Sequence, residues 1–140
     1  MTYDKNTLGH TTSQGWEMGV RRTFALTPEA AWETLFTQPI LGIWLDKAAH
    51  IAFQKNDTYT TASGITITVT SVTTVKVIRM KWQQQGQPNA STLQIRVIPA
   101  KDKTTISFHH EWLTGQAERE AMKTYWTRVL DAIGQTQKNS

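Results

Sequence analysis

The stretch that decides the fold runs from residue 104 to residue 134, TTISFHHEWLTGQAEREAMKTYWTRVLDAIG. Its first part, Thr104 to Leu113, alternates apolar and polar residues, which predicts a strand with one buried face. Its second part, Gly115 to Gly134, predicts a long helix with one apolar stripe. The residues of that stripe are Met122, Trp126, Val129 and Ile133. A strand that leads into a long helix indicates that the helix covers a sheet, because a sheet with one apolar face needs a cover.

Upstream of this stretch, the chain reads as one strand, two short helices and a run of further strands. Trp16 to Leu26 alternates, and Thr27-Pro28-Glu29 is typical of a helix start. One helix then reaches Phe36, and a second spans Ile40 to Leu45. The later strands are predicted at His50–Gln54, Thr58–Thr61, Gly64–Thr70, Val75–Trp82 and Thr92–Ile98. The sequence therefore predicts an α+β fold, in which a curved antiparallel sheet of about six or seven strands wraps a long C-terminal helix.

The length of 140 residues predicts a single domain. Residues 1–15 are polar and without a hydrophobic period, so we expect a flexible N-terminal lead-in. Residues 16–134 form the expected domain. Gly134 suits the left-handed position after a helix, so we expect the helix to end there and residues 135–140 to fray.

Composition excludes several classes of protein. There is no cysteine, which excludes disulfide scaffolds, cysteine nucleophiles and thiolate zinc sites. No apolar run approaches the ~18 residues of a membrane span, and no secretory signal is visible, so we expect a cytoplasmic protein. The net charge of +4 is spread without a basic run, which disfavours nucleic-acid binding. Arg79, Lys81 and Arg96 predict a small basic patch on outer strand faces, which could dock an acidic partner but is more typical of a solvent face.

Four patches of sequence resemble the family of activators of heat-shock-protein ATPases, within the START-like (SRPBCC, helix-grip) superfamily. These patches are Arg22-x-Phe24 with Pro28-Glu29-x-x-Trp32, then Trp44-Leu45, then Trp82, and finally residues 105–110 followed by Tyr125-Trp126. The resemblance covers roughly Trp16 to Gly134 and implies the helix-grip fold. It also implies, more weakly, interaction with a chaperone ATPase. Tyr125 stands where the family often has glycine.

His110 is the leading candidate for chemistry, because it lies among apolar residues on the predicted inner face. It could hydrogen-bond a ligand or act as acid or base near neutral pH. The commoner alternative is a buried histidine whose nitrogens are satisfied within the protein. Arg22 interrupts the apolar face of its strand, so it either pairs with a carboxylate such as Glu111 or Asp46, or contacts a polar ligand group.

No cofactor or metal is predicted. Adjacent strand residues point to opposite faces, so His109 and His110 cannot share one ion. His109 and Glu111 share a face, but two ligands at a surface do not make a site. No Gly-x-Ser-x-Gly elbow or phosphate-binding loop is present, and Ser107 lies on the face opposite His110.

Three functions follow, and we expect a binding domain rather than an enzyme. The first is binding of a small hydrophobic or amphipathic ligand in a cavity between the sheet and the C-terminal helix. The second is a chaperone-ATPase-activator-like interaction module. The third is a cyclase- or hydrolase-like enzyme that uses His110, with Tyr125 as a second acid or base. The expected ligand-binding residues are Arg22, Trp44, Met80, Trp82, Phe108, His110, Trp112, Met122 and Tyr125.

Overall fold

The computed structural model of the protein describes residues 10–11, 15–49 and 51–138. In chain order its elements are β1 (His10–Thr11), β2 (Gly15–Phe24), α1 (Pro28–Phe36), α2 (Ile40–Trp44), β3 (Thr58–Thr60), β4 (Ile65–Thr73), β5 (Val77–Gln84), β6 (Ser91–Ala100), β7 (Lys103–Leu113) and α3 (Gln116–Lys138).

One antiparallel sheet of seven strands forms the body of the fold, in the order β1-β2-β7-β6-β5-β4-β3. Strand β2 pairs with β7, so the first and last long strands lie side by side. The face of the sheet that contacts α3 is called the inner face here, and the opposite face is called the outer face. Helices α1 and α2 connect β2 to β3 and also pack at the inner face. The predicted α+β helix-grip fold is confirmed.

The helix start after β2 forms as its residues predict. The hydroxyl of Thr27 accepts a hydrogen bond from the amide of Ala30 at 3.1 Å, and Pro28 occupies the first turn. The indole of Trp44, at the end of α2, donates to the carbonyl oxygen of Leu35 in α1 at 2.7 Å. This bond fixes the two short helices against each other, because both of its partners are buried.

Three expectations about element bounds were wrong. No strand forms at Ile51–Gln54; Phe53 there has φ of 57°, which breaks an extended run, and His50 lies outside the described residues. The last helix continues through Gly134 to Lys138, because Gly134 keeps helical backbone and packs beside Phe24. Part of the expected flexible lead-in, His10–Thr11, pairs with β2, while residues 1–9 and 12–14 lie outside the described residues.

Within the described part of the chain, no helix is long and apolar enough to cross a membrane.

Candidate functional site

Trp126 is the centre of the space between sheet and helix. It is fully buried, and its ring stacks on Phe108 of β7 with centroids 4.6 Å apart. Trp82 of β5 meets it edge-on at 5.5 Å, and Trp44 of α2 lies at 6.1 Å. Aromatic contacts of this kind stabilise a core beyond their burial alone. The aromatic rings therefore occupy the region where the sequence predicted a ligand cavity.

His110 lies in the same region, and protein groups satisfy both of its ring nitrogens. The indole N–H of Trp126 donates to Nδ1 at 3.3 Å. The hydroxyl of Ser91 lies 2.6 Å from Nε2 and itself donates to the carbonyl oxygen of Trp82 at 2.9 Å. Since Ser91 uses its proton on that carbonyl, Nε2 must donate to Ser91 Oγ. His110 is thus a neutral imidazole with its proton on Nε2.

The proton on Nε2 determines whether His110 can activate Ser91. A histidine that activates a serine must accept the serine proton, but Nε2 of His110 carries a proton and donates. Burial is the main cause that lowers the pKa of His110 to about 3, and the charge of neighbouring His109 adds to the effect. The side chain therefore stays neutral and hydrogen-bonded near neutral pH. These contacts fit the second interpretation of the sequence, a buried histidine whose nitrogens are hydrogen-bonded within the protein.

Tyr125 joins α3 to α2. Its hydroxyl donates to the carbonyl oxygen of Trp44 at 2.5 Å, at the C-terminal end of α2. Burial raises the pKa of Tyr125 to about 12, so the phenol keeps its proton. Its ring meets Trp82 edge-on at 6.0 Å. The hydroxyl links the two helices, because it donates to a backbone carbonyl at the end of α2.

The free space beside Trp82, near the start of α3, is the size of one water molecule. It measures about 10 Å³, against the ~300–1,000 Å³ of ordinary ligand pockets. Trp82, Trp112, Met122 and Ser91 border it. The indole N–H of Trp82 is buried and has no hydrogen-bond partner among the described residues. One water fits there and would satisfy that donor.

Two predicted site residues lie apart from the aromatic rings around Trp126. Arg22 pairs with Asp131 of α3 at 2.7 Å, rather than with Glu111 or Asp46. Trp112 was expected on the inner face, and this was wrong: it is 49% exposed, with φ of 61°. A bulge in β7 opposite β2 shifts the alternation by one residue, so Leu113 is buried in its place.

The outer face carries the cluster of ionisable groups that resembles a metal site most closely. His109 Nδ1 lies 3.1 Å from a carboxylate oxygen of Glu111, and Nε2 lies 3.4 Å from Glu17. The ligand atoms of these three residues lie within 4.8 Å of one another. The sequence reasoning counted two of them and missed Glu17, which β2 supplies. The two ring nitrogens point at different carboxylates, so the imidazole of His109 lies between Glu17 and Glu111.

The chain matches the family described as "Activator of Hsp90 ATPase homolog 1-like protein" over residues 25–138. The chain belongs to this family. No curated protein sequence matches it.

Solved structures share the fold of this family member. CalU16 from Micromonospora echinospora aligns with a TM-score of 0.72 at 15% identity, over 85% of this chain and 74% of that one. The Aha1 dimer from Colwellia psychrerythraea aligns with a TM-score of 0.69 at 15% identity, over 84% and 92%. An HSP90 activator from Plasmodium falciparum gives 0.65 at 18% identity, over 80% and 88%. Identities this low establish the START-like helix-grip fold alone.

Ser91 is the residue of this site that the sequence reasoning missed. The predicted strand began at Thr92, yet Ser91 shares the inward parity of Leu93 and Ile95 and is also buried. Its pairing with Trp82 across β5 and β6 places it beside His110. The available signal was a serine in phase with an apolar alternation, which predicts a hydroxyl facing the core.

Proposed function

We propose that this protein is a non-catalytic interaction module that binds a chaperone ATPase and alters its turnover. The observation that carries the proposal is the closed interior. Aromatic rings pack against one another under α3, the space beside Trp82 measures about 10 Å³, and His110 has both nitrogens engaged by the protein. Binding then falls to the surface of the domain. Membership of a family described by activation of the Hsp90 ATPase supports a chaperone ATPase as the class of partner.

The test is the ATPase rate of a purified Hsp90-type chaperone, measured with increasing amounts of this protein. We expect the rate to change and to saturate, and we expect a complex in a direct binding measurement such as calorimetry. Heat-unfolded protein at the same concentrations controls for non-specific effects. An unchanged rate together with no measurable complex would remove this function.

A second candidate, binding of a small amphipathic ligand, rests on the unpartnered indole N–H of Trp82. A buried donor without an acceptor is costly, and a ligand oxygen could satisfy it if the start of α3 moved away from Trp112. The space there is lined by polar residues as well, including Gln84, Asn89 and Glu118.

Thermal shift with lipids, flavonoids and polyketides tests this candidate. A ligand bound at Trp82 should raise the melting temperature of the native protein and should lose this effect in Trp82→Phe, which removes the N–H and keeps the ring. Tyr125→Phe is the matched control, since it removes a polar atom from a neighbouring ring. Silence across all compounds would reject the candidate.

A further inference from the structure

Cations from three strands lie together on the outer face of the sheet. Arg21 lies on β2, Arg96 on β6, and Arg79 with Lys81 on β5. All are exposed, and none forms an ion pair with any residue in the described ranges. Arg79 donates to the neutral side chain of Gln94, and Lys81 donates to Thr92. The charges of Arg79 and Lys81 are therefore positioned by neighbours that do not neutralise them.

Arg21 and Arg96 flank a hollow in this face. Both pair in register with Ser107 of β7, one from each side, which puts their Cα atoms about 9.6 Å apart across two strand spacings. The hollow between them has a volume of about 460 Å³ and is bordered also by Gly19, Gln94 and Ile98. Small residues at its floor and long cationic side chains at its walls suit an acidic group, because two guanidiniums can hold one carboxylate or phosphate.

The charge along the face changes sign. At the end beyond His109, Glu17 and Glu111 present carboxylates. A polyanionic backbone that crossed the sheet would meet them, and the one aromatic ring among the hollow's lining residues, His109, is held beside the carboxylates of Glu17 and Glu111. A protein segment can match a basic region and avoid an acidic one, so the pattern favours a protein partner.

We propose that this outer face docks an acidic segment of a partner protein, with a carboxylate held between Arg21 and Arg96 and further acidic residues along Arg79 and Lys81. Ile98, which is 38% exposed, borders the hollow and offers an apolar contact beside the charges. The inference rests on the proposed interaction function and names the surface and the chemistry of the partner.

The test uses fluorescence anisotropy with a short labelled peptide that alternates glutamate and serine. We expect it to bind the full chain at low salt, to weaken as salt is raised, and to lose about tenfold in affinity in the double variant Arg21→Gln/Arg96→Gln. Arg22→Gln and Arg128→Gln are matched controls. The first alters the adjacent residue, which is paired with Asp131, and the second removes an exposed charge from α3. Both should bind the peptide as the native protein does.

Three outcomes would overturn the proposal. One is equal binding by the double variant and the native protein. Another is equal binding of a peptide in which glutamine replaces every glutamate. The third is tighter binding of a single-stranded DNA of equal charge, which would make the surface a nucleic-acid site. Circular dichroism and the denaturant midpoint check that the double variant is folded.

The chaperone assay separates this inference from the proposed function. If the double variant still changes the ATPase rate as the native protein does, the interaction function holds and the outer face is not its docking surface. If the acidic peptide binds through the two arginines but the chaperone rate never changes, the docking surface holds and its partner is a different acidic protein.

Discussion

At the scale of single residues, the ionisation of His110 links the core to pH. Its folded pKa of about 3 is below the 6.5 of an ordinary histidine. Between these values the unfolded chain binds a proton that the folded chain does not, so stability is full above pH 6.5 and falls as pH decreases. We expect a loss of roughly 2 kcal/mol between about pH 7 and about pH 4.5.

Chemical unfolding at several pH values measures this loss. His110→Gln is the comparison, because its amide can accept from Trp126 and donate to Ser91 but does not titrate. Other titrating groups are common to both proteins and cancel in the difference. Parallel pH dependences for the two proteins would contradict a buried neutral histidine.

Ser91 offers a second prediction at this scale. Ser91→Ala leaves the Nε2–H of His110 without its acceptor in a buried site, so we expect the free energy of unfolding to fall by about 1–3 kcal/mol. Ser107→Ala is the control, since Ser107 lies on the outer face of the neighbouring strand, and it should change stability by less than about 0.5 kcal/mol. Denaturant midpoints at unchanged slope measure both. Equal effects would mean that the Ser91–His110 bond carries no stability.

At the scale of elements, two interactions hold α3 against the rest of the protein: burial of Trp126 and the hydrogen bond of Tyr125. Trp126→Ala removes a fully buried ring, so we expect a loss of about 3–5 kcal/mol. Tyr125→Phe removes only the hydroxyl that bonds the carbonyl of Trp44, and should cost about 0.5–1.5 kcal/mol. Guanidinium unfolding, monitored by the far-ultraviolet circular dichroism of the backbone, measures the free energy of unfolding of both variants. Losses of similar size would mean that the Tyr125 hydroxyl holds α3 in place as strongly as the buried Trp126 ring does.

Elements also mark the limit of prediction from sequence. Alternation and a helical stripe predicted β7 and α3, because both patterns follow from which faces are buried. The bulge that turns Trp112 outward depends on how β7 pairs with β2, a contact nearly a hundred residues apart in the chain that no local pattern encodes. Likewise, the sequence suggested Glu111 or Asp46 as the partner of Arg22, and only the packing of α3 brings Asp131 beside it.

At the scale of the whole molecule, the sequence predicted the space under α3 but not its contents. The same residues, including Trp82, Phe108 and Met122, can either line a cavity or fill one, and the outcome depends on fractions of an ångström in side-chain packing. Here a ring from α3 and rings from β5, β7 and α2 meet at the centre. The helix-grip architecture therefore supplies a place for a cavity, and its aromatic side chains close it.

That conclusion predicts how the molecule responds to a small apolar probe. Indole should not raise the melting temperature of the native protein, because a space of about 10 Å³ cannot admit it. Trp126→Ala should be stabilised by indole, since the substitution leaves a void of matching shape among Phe108, Trp82 and Trp44 in which an indole N–H can again donate to His110 Nδ1, and binding to the folded state alone raises stability. Ile106→Val is a control that loosens the same core without opening a ring-sized void. Stabilisation of the native protein by indole would show that α3 moves readily away from the sheet. The interior would then be able to bind a ligand.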